Sequence, residues 1–181
     1  DEVLGTFTAV LRLARVQSAA GWRFERVDVT AIARDLCEFY EPVAEDDGKT
    51  FISEIEDNLT APGDSKLLTQ ALSNLVENAI KYTPGVGRIA VSAQRGADGR
   101  ITLSVADSGP GIKPEDRERV IDRFVRLETA RSTPGAGLGL SLVAAVAEVH
   151  HADLELSDGL TSEAGPGLRV SLTLPVLAAK G

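Results

Sequence analysis

Residues 74–81 read Asn-Leu-Val-Glu-Asn-Ala-Ile-Lys, and this octet sets how the rest of the chain is interpreted. Its polar members Asn74, Glu77, Asn78 and Lys81 recur three or four residues apart, so on a helix they share one face. The apolar members fall on the opposite side, which is the pattern of a helix that packs on a core. The octet therefore predicts an amphipathic α-helix whose outward face carries two amides, an acid and a base.

The polar face of this helix has two possible meanings. Asparagine is a mediocre helix former, so two of them on one stripe do little for helix stability. Their oxygens suit a hydrated Mg²⁺ ion, which takes oxygen ligands and keeps several waters, and a lysine suits phosphate. The alternative is a solvated surface with an incidental charge pair, and the octet alone leaves both interpretations open.

Two glycine-rich segments favour a phosphate site. Residues 107–112 read Asp-Ser-Gly-Pro-Gly-Ile and follow an alternating strand-like run at 101–106. Residues 135–140 read Gly-Ala-Gly-Leu-Gly-Leu and precede an apolar run of helical length at 142–149. A glycine-rich turn that enters a helix directs backbone N–H groups toward an anion. Each segment is weak evidence alone, but their order after the octet strengthens the case.

The first half of the chain predicts a strand at 24–29 and a helix from Thr30 to about Asp46, with Thr30 as its N-cap. A strand follows at 50–55, and Pro62-Gly63 reads as a turn. Asp64 is a natural cap for the helix that bears the octet, which should end near Pro84. The side chains of the earlier helix expected to face the core are Ile32, Leu36, Phe39 and Val43.

The second half predicts a hairpin between 88–94 and 101–106, a candidate mobile loop at 113–134 and a helix from Leu138 to about His150. Closing strands are expected at 154–156 and 168–174. Together these elements indicate the α/β class, as a two-layer sandwich in which a mixed, mostly antiparallel sheet is covered on one face by helices.

Composition limits the function. The 181 residues suffice for one domain with a core and a short appendage, and the net charge of −8 argues against nucleic acid or a membrane surface as a partner. Cys37 is the only cysteine, which agrees with a reducing, cytoplasmic setting, and we expect it to be a buried thiol. The chain opens at Asp1 and contains no Met, so we expect a fragment whose parent is compatible with an anchor in the inner membrane.

These motifs resemble, in order, the four boxes of the catalytic, ATP-binding domain of bacterial sensor histidine kinases. That domain belongs to the GHKL superfamily with gyrase B, MutL and the heat-shock chaperone ATPase. Residues 74–84 resemble the N box, 107–112 the G1 box, 123–126 the F box and 135–140 the G2 box. One departure is Ala136, where many relatives carry Thr or Ser; the change removes a hydroxyl but leaves the backbone donors.

The resemblance implies the GHKL ATPase fold over roughly residues 25–175, with ATP and Mg²⁺ as cofactors. It implies two regions: residues 1–22 as the C-terminal stub of a dimerisation and phosphotransfer helix, and residues 23–181 as the ATP-binding catalytic domain. The alternative for the first region is a plain N-terminal helix packed on its own domain.

The resemblance also implies roles for individual residues. Catalytic roles fall to Glu77, Asn78 and Lys81, with Glu77 orienting or deprotonating the attacking imidazole. Asn78, supported by Asn74, is the metal ligand, and Asp107 accepts the amino group of adenine. For Lys81 a surface lysine is the alternative, and for Asp107 a turn residue.

The candidate lid includes Phe124 as an apolar anchor, with Arg126 and Arg131 either swinging onto the triphosphate or remaining solvated. Tyr82 packs its ring against the nucleotide or against the core. The other cofactor-binding candidates are Gly109, Gly111, Ile112, Gly135, Gly137, Leu138 and Gly139.

In the family that this chain resembles, the phosphorylated histidine is followed by an acid, a leucine and an arginine. Neither His150 nor His151, which end a helix, stands in such a context. We therefore expect the acceptor histidine on a separate helical domain of a homodimeric parent, and a response-regulator receiver domain as the next partner. Three other functions stay open: a GHKL ATPase switch in which the acid activates water, an anti-sigma-factor serine kinase, and a nucleotide-binding module without catalysis.

Overall fold

The computed structural model describes residues 24–121, 139–163 and 165–176. The helical stub expected at 1–22 and the F box at 123–126 lie outside these residues. The strands are β1 (Glu25–Asp28), β2 (Thr50–Ile55), β3 (Thr60–Gly63), β4 (Arg88–Arg95), β5 (Ile101–Asp107), β6 (Asp153–Ser162) and β7 (Gly165–Leu174). The helices are α1 (Val29–Asp46), α2 (Ser65–Tyr82), α3 (Pro114–Arg117) and α4 (Gly139–Val149), with a 3-10 turn at Arg119–Ile121.

The main sheet has five strands in the order β2-β4-β5-β7-β6. Among the described strands, β2 and β4 form its one parallel pair, and the other neighbours are antiparallel. A separate two-stranded sheet pairs β1 with β3. The expected α/β fold, with a mixed and mostly antiparallel sheet, is confirmed.

The core lies between one face of the main sheet and the helices. Val91, Val105 and Val170 are cross-strand neighbours, and all three are buried. Residues beside them on each strand point the opposite way, as strand geometry requires, and are mostly small and polar there. From α2, Leu72 and Val76 enter the same core, and burial of such a side chain stabilises the fold by about 1.5–3 kcal/mol. The polar residues of the octet therefore lie on a helix whose opposite, apolar face is held in place by packing in the core.

The cap of α1 differs from the sequence prediction. Asp28 is the N-cap, and its Oδ1 accepts from Ala31 N at 2.9 Å. Thr30 is instead a buried link, because its hydroxyl donates to Glu56 O at 2.8 Å and accepts from Leu59 N at 2.9 Å. A carboxylate and a hydroxyl two residues apart both suit a cap, and the tertiary partner of Thr30 decides between them.

The inward face of α1 was predicted wrongly in part. Phe39 and Val43 are exposed, at 67% and 45%. The buried stripe is Val29, Thr30, Ala33, Leu36, Cys37 and Ala44. Leu36 is therefore buried as predicted and Ile32 packs partly buried against the core, so the buried face is turned only part of the way from the predicted one. The small side chains of Ala33 and Ala44 are fully buried and let α1 lie close to its neighbours, whereas Phe39 lies on the solvent side.

Pro62-Gly63 is not a turn but the end of β3. Pro62 pairs with Arg26, and Gly63 pairs with Glu25. A two-stranded sheet tolerates proline because each strand has an outer edge that needs no ladder bond. Gly63 is required by packing, since a Cβ there would lie 2.9 Å from the ring of His150.

Other predicted elements are confirmed with small shifts. Asp64 caps α2 by accepting from Leu67 N at 3.0 Å, and the helix ends at Tyr82. The hairpin of β4 and β5 forms as expected, whereas β6 and β7 are longer than the predicted closing strands. None of the described helices has both the length and the apolar character needed to cross a membrane.

Candidate nucleotide-binding site

The four polar residues of the octet lie on α2 as predicted. Helix geometry spreads them over an arc of about 100°, with Glu77 at one edge and Asn78 at the other. Glu77 and Lys81 are exposed, whereas Asn74 and Asn78 are half-buried. The structure thus places the acid and the candidate metal ligand on one rigid element, with their side chains directed about 100° apart.

Asn78 faces the start of α4. A Cβ on Gly139 would lie 2.8 Å from Nδ2 of Asn78 and 3.3 Å from its Oδ1. The amide therefore sits against the backbone at the N-terminus of α4, where helical N–H groups attract anions. The N box and the last glycine of the G2 box meet at this contact.

The amide oxygens on this face of α2 fit a hydrated Mg²⁺ ion that is also held by phosphate. They do not form a site in which protein ligands alone surround the metal. Among the described residues, no three or more His, Cys, Asp or Glu side chains cluster closely enough to hold a metal. Asn74 donates its Nδ2 to the carbonyl of Gln70 at 2.8 Å, a bond that uses the amide nitrogen and not the oxygen a metal needs. Mg²⁺ commonly takes only one or two protein ligands beside substrate phosphates.

Asp107 ends β5 and is buried, with 8% of its surface exposed. Its Oδ1 accepts from Gly109 N at 2.8 Å and from Leu168 N at 3.3 Å. Burial raises the pKa of this carboxyl, and the two backbone donors oppose that rise. Both bonds use Oδ1, so Oδ2 is the oxygen left to accept from a ligand.

Glycines let three backbone segments converge on Asp107. A Cβ on Gly109 would lie 2.8 Å from Tyr82 O, and one on Gly111, where φ is +64°, would lie 2.5 Å from Pro166 O. On β7, a Cβ on Gly167 would lie 1.9 Å from Asp107 O. The pocket wall therefore brings the end of α2, the G1 box and β7 into direct backbone contact.

Sequence reasoning missed the contribution of β7. Leu168 supplies a donor to Asp107, and Gly167 makes room for it. A usable signal was present, because glycine beside a strand pattern marks a close backbone approach. Arg117 was also missed: its Nε donates to Ile112 O at 3.0 Å, and its guanidinium pairs with Asp158 on β6. Arg117 therefore links the last residue of the G1 box to β6.

Another residue that sequence reasoning missed lies beside the octet. The hydroxyl of Tyr40 on α1 donates to Oε1 of Glu77 at 2.7 Å. A polar cleft of about 500 Å³ lies on the outer face of α2 and includes Ser73, Asn74 and Glu77 in its lining. Glu77 is therefore accessible from this cleft, and Tyr40 on α1 holds one of its carboxylate oxygens.

Lys81 and Tyr82 contact each other. The ammonium of Lys81 lies 4.7 Å from the centroid of the Tyr82 ring, within the range of a cation–π contact. Tyr82 is half-buried, so its ring packs partly against the protein and partly faces solvent.

The candidate lid is described only in part. Its first residues form α3 and the 3-10 turn that ends at Ile121. Gly139 is the one G2 candidate within the described residues. The predicted roles that fall outside them are those of Phe124, Arg126, Arg131, Gly135, Ala136, Gly137 and Leu138.

Comparisons with known proteins show which family this chain belongs to. The model of the family described as histidine kinase-, DNA gyrase B- and HSP90-like ATPase matches residues 63–178. The sensor-like histidine kinase SenX3 of Mycobacterium tuberculosis is 37% identical over 179 residues, which is 96% of this chain and 42% of SenX3. The chain therefore spans less than half the length of this curated relative.

Two solved structures are similar in fold. Full-length ShkA in complex with AMPPNP has a TM-score of 0.81 and 29% identity, over 99% of this chain and 37% of ShkA. The mycobacterial sensor histidine kinase MprB has a TM-score of 0.74 and 31% identity, over 84% of this chain and 97% of that structure. With the converging glycines, the buried Asp107 and the arc on α2, these matches show that the chain belongs to the family of histidine kinase-, DNA gyrase B- and HSP90-like ATPases.

Proposed function

We propose that this chain is the ATP-binding catalytic domain of a two-component sensor histidine kinase. In this role it binds ATP with Mg²⁺ and transfers the γ-phosphoryl group to a histidine on a separate helical domain. Family membership and the kinase names of the relatives support the proposal. The proposal assigns residues 23–181 to the catalytic domain and residues 1–22 to the end of a dimerisation and phosphotransfer helix.

The environment of Asp107 is the observation that carries the proposal. A buried carboxylate with one oxygen held by two backbone N–H groups presents its other oxygen in a fixed direction. The exocyclic amino group of adenine is a donor, whereas guanine has a carbonyl at that position. A carboxylate is therefore the complement of adenine, and the close backbone packing at Gly109, Gly111 and Gly167 holds that carboxylate in place.

The phosphates would lie between α2 and the N-terminus of α4. Asn78 would hold Mg²⁺ through its amide oxygen, with Asn74 supporting, and Lys81 would meet phosphate as a point charge. The metal would supply charge neutralisation on the phosphate oxygens. The protein contributes position and electrostatics, which dominate phosphoryl transfer. Glu77 would orient the incoming imidazole and accept its proton.

The acceptor belongs to another domain. His150 is 2% exposed, and its Nε2 accepts from Asp64 N at 3.0 Å. Asp64 precedes Asn78 by 14 residues along α2, which is roughly 21 Å at the rise of an α-helix. His150 therefore lies far from the proposed phosphates. The proposed partners are the helical phosphotransfer domain of a homodimeric parent and a receiver domain, all in the cytoplasm, where ATP is available.

Incubation with labelled ATP tests the proposal. The chain alone should bind ATP in calorimetry yet take up no stable label, and the parent's helical domain, added in trans, should become labelled. An acid-labile, base-stable product would identify phosphohistidine. Stable label on the isolated chain, or no label on the added domain despite ATP binding, would contradict the proposal.

A further inference from the structure

An apolar stripe on α1 begins in the core and continues onto the surface. Its members recur four, three and four residues apart, and they are Ile32, Leu36, Phe39 and Val43. Leu36 is buried, and Ile32 packs partly buried against the core. Phe39 and Val43, one turn apart, are exposed. Such a spacing is typical of a helix that packs against another helix, and here only its first half is covered.

The exposed ring of Phe39 is held in a defined position. It meets the ring of Tyr40 edge-on, with centroids 5.0 Å apart and an angle of 84° between the planes. Tyr40 is itself tied to α2, because its hydroxyl donates to Oε1 of Glu77 at 2.7 Å. Phe39 and Val43 therefore form a small apolar surface on a rigid support.

Acidic side chains surround this apolar pair. Between residue 35 and the C-cap of α1 there are six exposed acids and no base: Asp35, Glu38, Glu41, Glu45, Asp46 and Asp47. Within the part of the chain that the structure describes, only Asp47 of these six forms an ion pair, with Lys49. Acids in the last turn also oppose the helix dipole, which favours cations there.

The α1 surface, meaning Phe39 and Val43 with these six acids, therefore suits a partner that brings both apolar side chains and positive charge. A second α1 surface does not fit this description. Two copies would place acids against acids, and like charges in contact oppose association.

Residues 3–22 of the same chain have the required chemistry. They include Arg12 and Arg15 and no acid. On a helix, their apolar residues would form two stripes on opposite faces. The first stripe contains Leu4, Phe7, Leu11 and Ala14. The second stripe contains Ala9, Leu13, Val16 and Ala20. One stripe suffices for a seam with one other helix, so the second stripe calls for a separate partner.

The length of the chain permits this contact within one molecule. Phe24 is separated from Phe39 by β1 and ten residues of α1, which together span at most roughly 32 Å. Twenty residues of helix span about 30 Å. We propose that residues 3–22 dock on the α1 surface of the same chain, with the second stripe on Phe39 and Val43 and Arg12 facing the acids. The inference goes beyond the proposed kinase function and does not depend on it.

Limited trypsin digestion of the full chain tests the contact, because Arg12 and Arg15 are cleavage sites within the docking segment. Cleavage at these two sites is followed by mass spectrometry in the wild type, in the double variant Phe39→Ser/Val43→Ser and in Asp46→Lys. Each digestion is repeated over a hundredfold range of protein concentration, and the melting temperature of each protein is measured.

Each variant has a matched control. Val86→Ser also removes an exposed apolar side chain, on the loop after α2, where 94% of Val86 is accessible. Glu163→Lys makes the same change of charge as Asp46→Lys, at an exposed position directly after β6. Both controls should keep the wild-type rate of cleavage at Arg12 and Arg15.

The double variant should speed cleavage at both arginines roughly tenfold or more, because proteolysis follows the population of the undocked form and two apolar contacts are lost. Asp46→Lys should speed it roughly two- to fivefold, the range of an exposed ion pair. A cation suits the end of a helix, so Asp46→Lys should not lower the melting temperature, and faster cleavage there reports lost docking.

Unchanged cleavage in either variant, or an equal acceleration in its control, would overturn the proposal. That result is expected if residues 3–22 pack only against another helix, because α1 would then not touch them. Protection that falls on dilution would show that a second copy supplies the segment, and it would overturn the contact within one chain.

Discussion

The side-chain amide of Asn78 fills the space that a Cβ on Gly139 would need, with Nδ2 only 2.8 Å from that position. A side chain at position 139, the first residue of α4, and the Asn78 amide on α2 therefore cannot occupy the same space. Any side chain at 139 must push the amide away, and the amide is the flexible partner because it ends a rotatable side chain. The contact links two motifs 61 residues apart in the sequence.

Gly139→Ala should therefore weaken Mg²⁺-dependent ATP binding by roughly tenfold, or about 1.4 kcal/mol, by turning the Asn78 amide. The fold should not suffer, because Ala is the better helix former by about 1 kcal/mol. Calorimetry with and without Mg²⁺, beside a thermal melt, checks both parts. Unchanged affinity in a stable variant would show that the position of Asn78 does not matter.

Asn78→Ala tests the metal ligand directly. The side chain is half-buried at the site and contributes no apolar surface to the core, so the melting temperature should fall little. ATP affinity in Mg²⁺ should drop roughly 10- to 100-fold, the range seen when groups around a metal are lost. Affinity in EDTA should change much less. A variant that unfolds, or one equally weakened with and without metal, would make Asn78 structural.

The sequence predicted well the elements that have a regular apolar pattern over many residues and a capping residue next to them in the chain. The face of α2, the cap at Asp64 and the end of β5 at Asp107 all follow from patterns within one segment. The inward face of α1 followed only in part, because two overlapping stripes were both apolar. What decides between them is the space left by α2 and β2, and no local pattern encodes it.

The same limit applies to the candidate site. Asp107 was evident from the G1 pattern, but the donor from Leu168 comes from a strand 61 residues later. Tyr40 precedes Glu77 by 37 residues and was indistinguishable in sequence from a core tyrosine. Residues that act by reaching across elements become visible only when the register of those elements is known.

The environment of Asp107 predicts selectivity for adenine. With GTP, the carboxylate would face the carbonyl of guanine, and an unpaired buried acceptor costs about 1–3 kcal/mol, or roughly 5- to 150-fold in Kd. Calorimetry with ATP and GTP analogues measures the ratio. Asp107→Asn can donate as well as accept, so it should narrow that ratio. Equal affinities in the unaltered protein would remove Asp107 from base recognition.

The raised pKa of Asp107 predicts how ATP binding depends on pH. Its ordinary value is 3.8, and burial moves the folded value upward. The ionised form is the acceptor, so ATP affinity should begin to fall, as the pH drops, at a higher pH than an ordinary aspartate would cause. The raised pKa has the opposite effect on stability. The contribution of Asp107 to the free energy of unfolding is fully present below pH 3.8 and is lost as the pH rises through the folded pKa. ATP titrations at successive pH values check the prediction, and the shift should be absent in Asp107→Asn.

His150 predicts a loss of stability in mild acid. Its Nδ1 lies 2.8 Å from Val146 O, and its Nε2 accepts from Asp64 N, so the ring is neutral with its proton on Nδ1. Burial lowers the pKa of His150 below its ordinary 6.5. A proton on Nε2 would set a donor against the backbone N–H of Asp64, at the N-terminus of α2, whose dipole also disfavours a positive charge.

The sign follows from linkage. Between 6.5 and the lower folded pKa, the unfolded chain binds a proton that the folded chain does not. The stabilisation is therefore complete above 6.5 and is lost as the pH falls toward the folded value. The melting temperature of the wild type should decline from pH 7.5 through 6.5 to 5.5. In His150→Gln the amide oxygen can still accept from Asp64 N, so this variant should be less stable overall but should lose less stability as the pH falls. His151→Asn is the matched control, because His151 is exposed at a φ of 51°, which asparagine tolerates. The charge of His151 lowers the pKa of His150 less than burial does, so this variant should change the slope less than His150→Gln. An equal slope in His150→Gln would show that other groups cause the loss in acid.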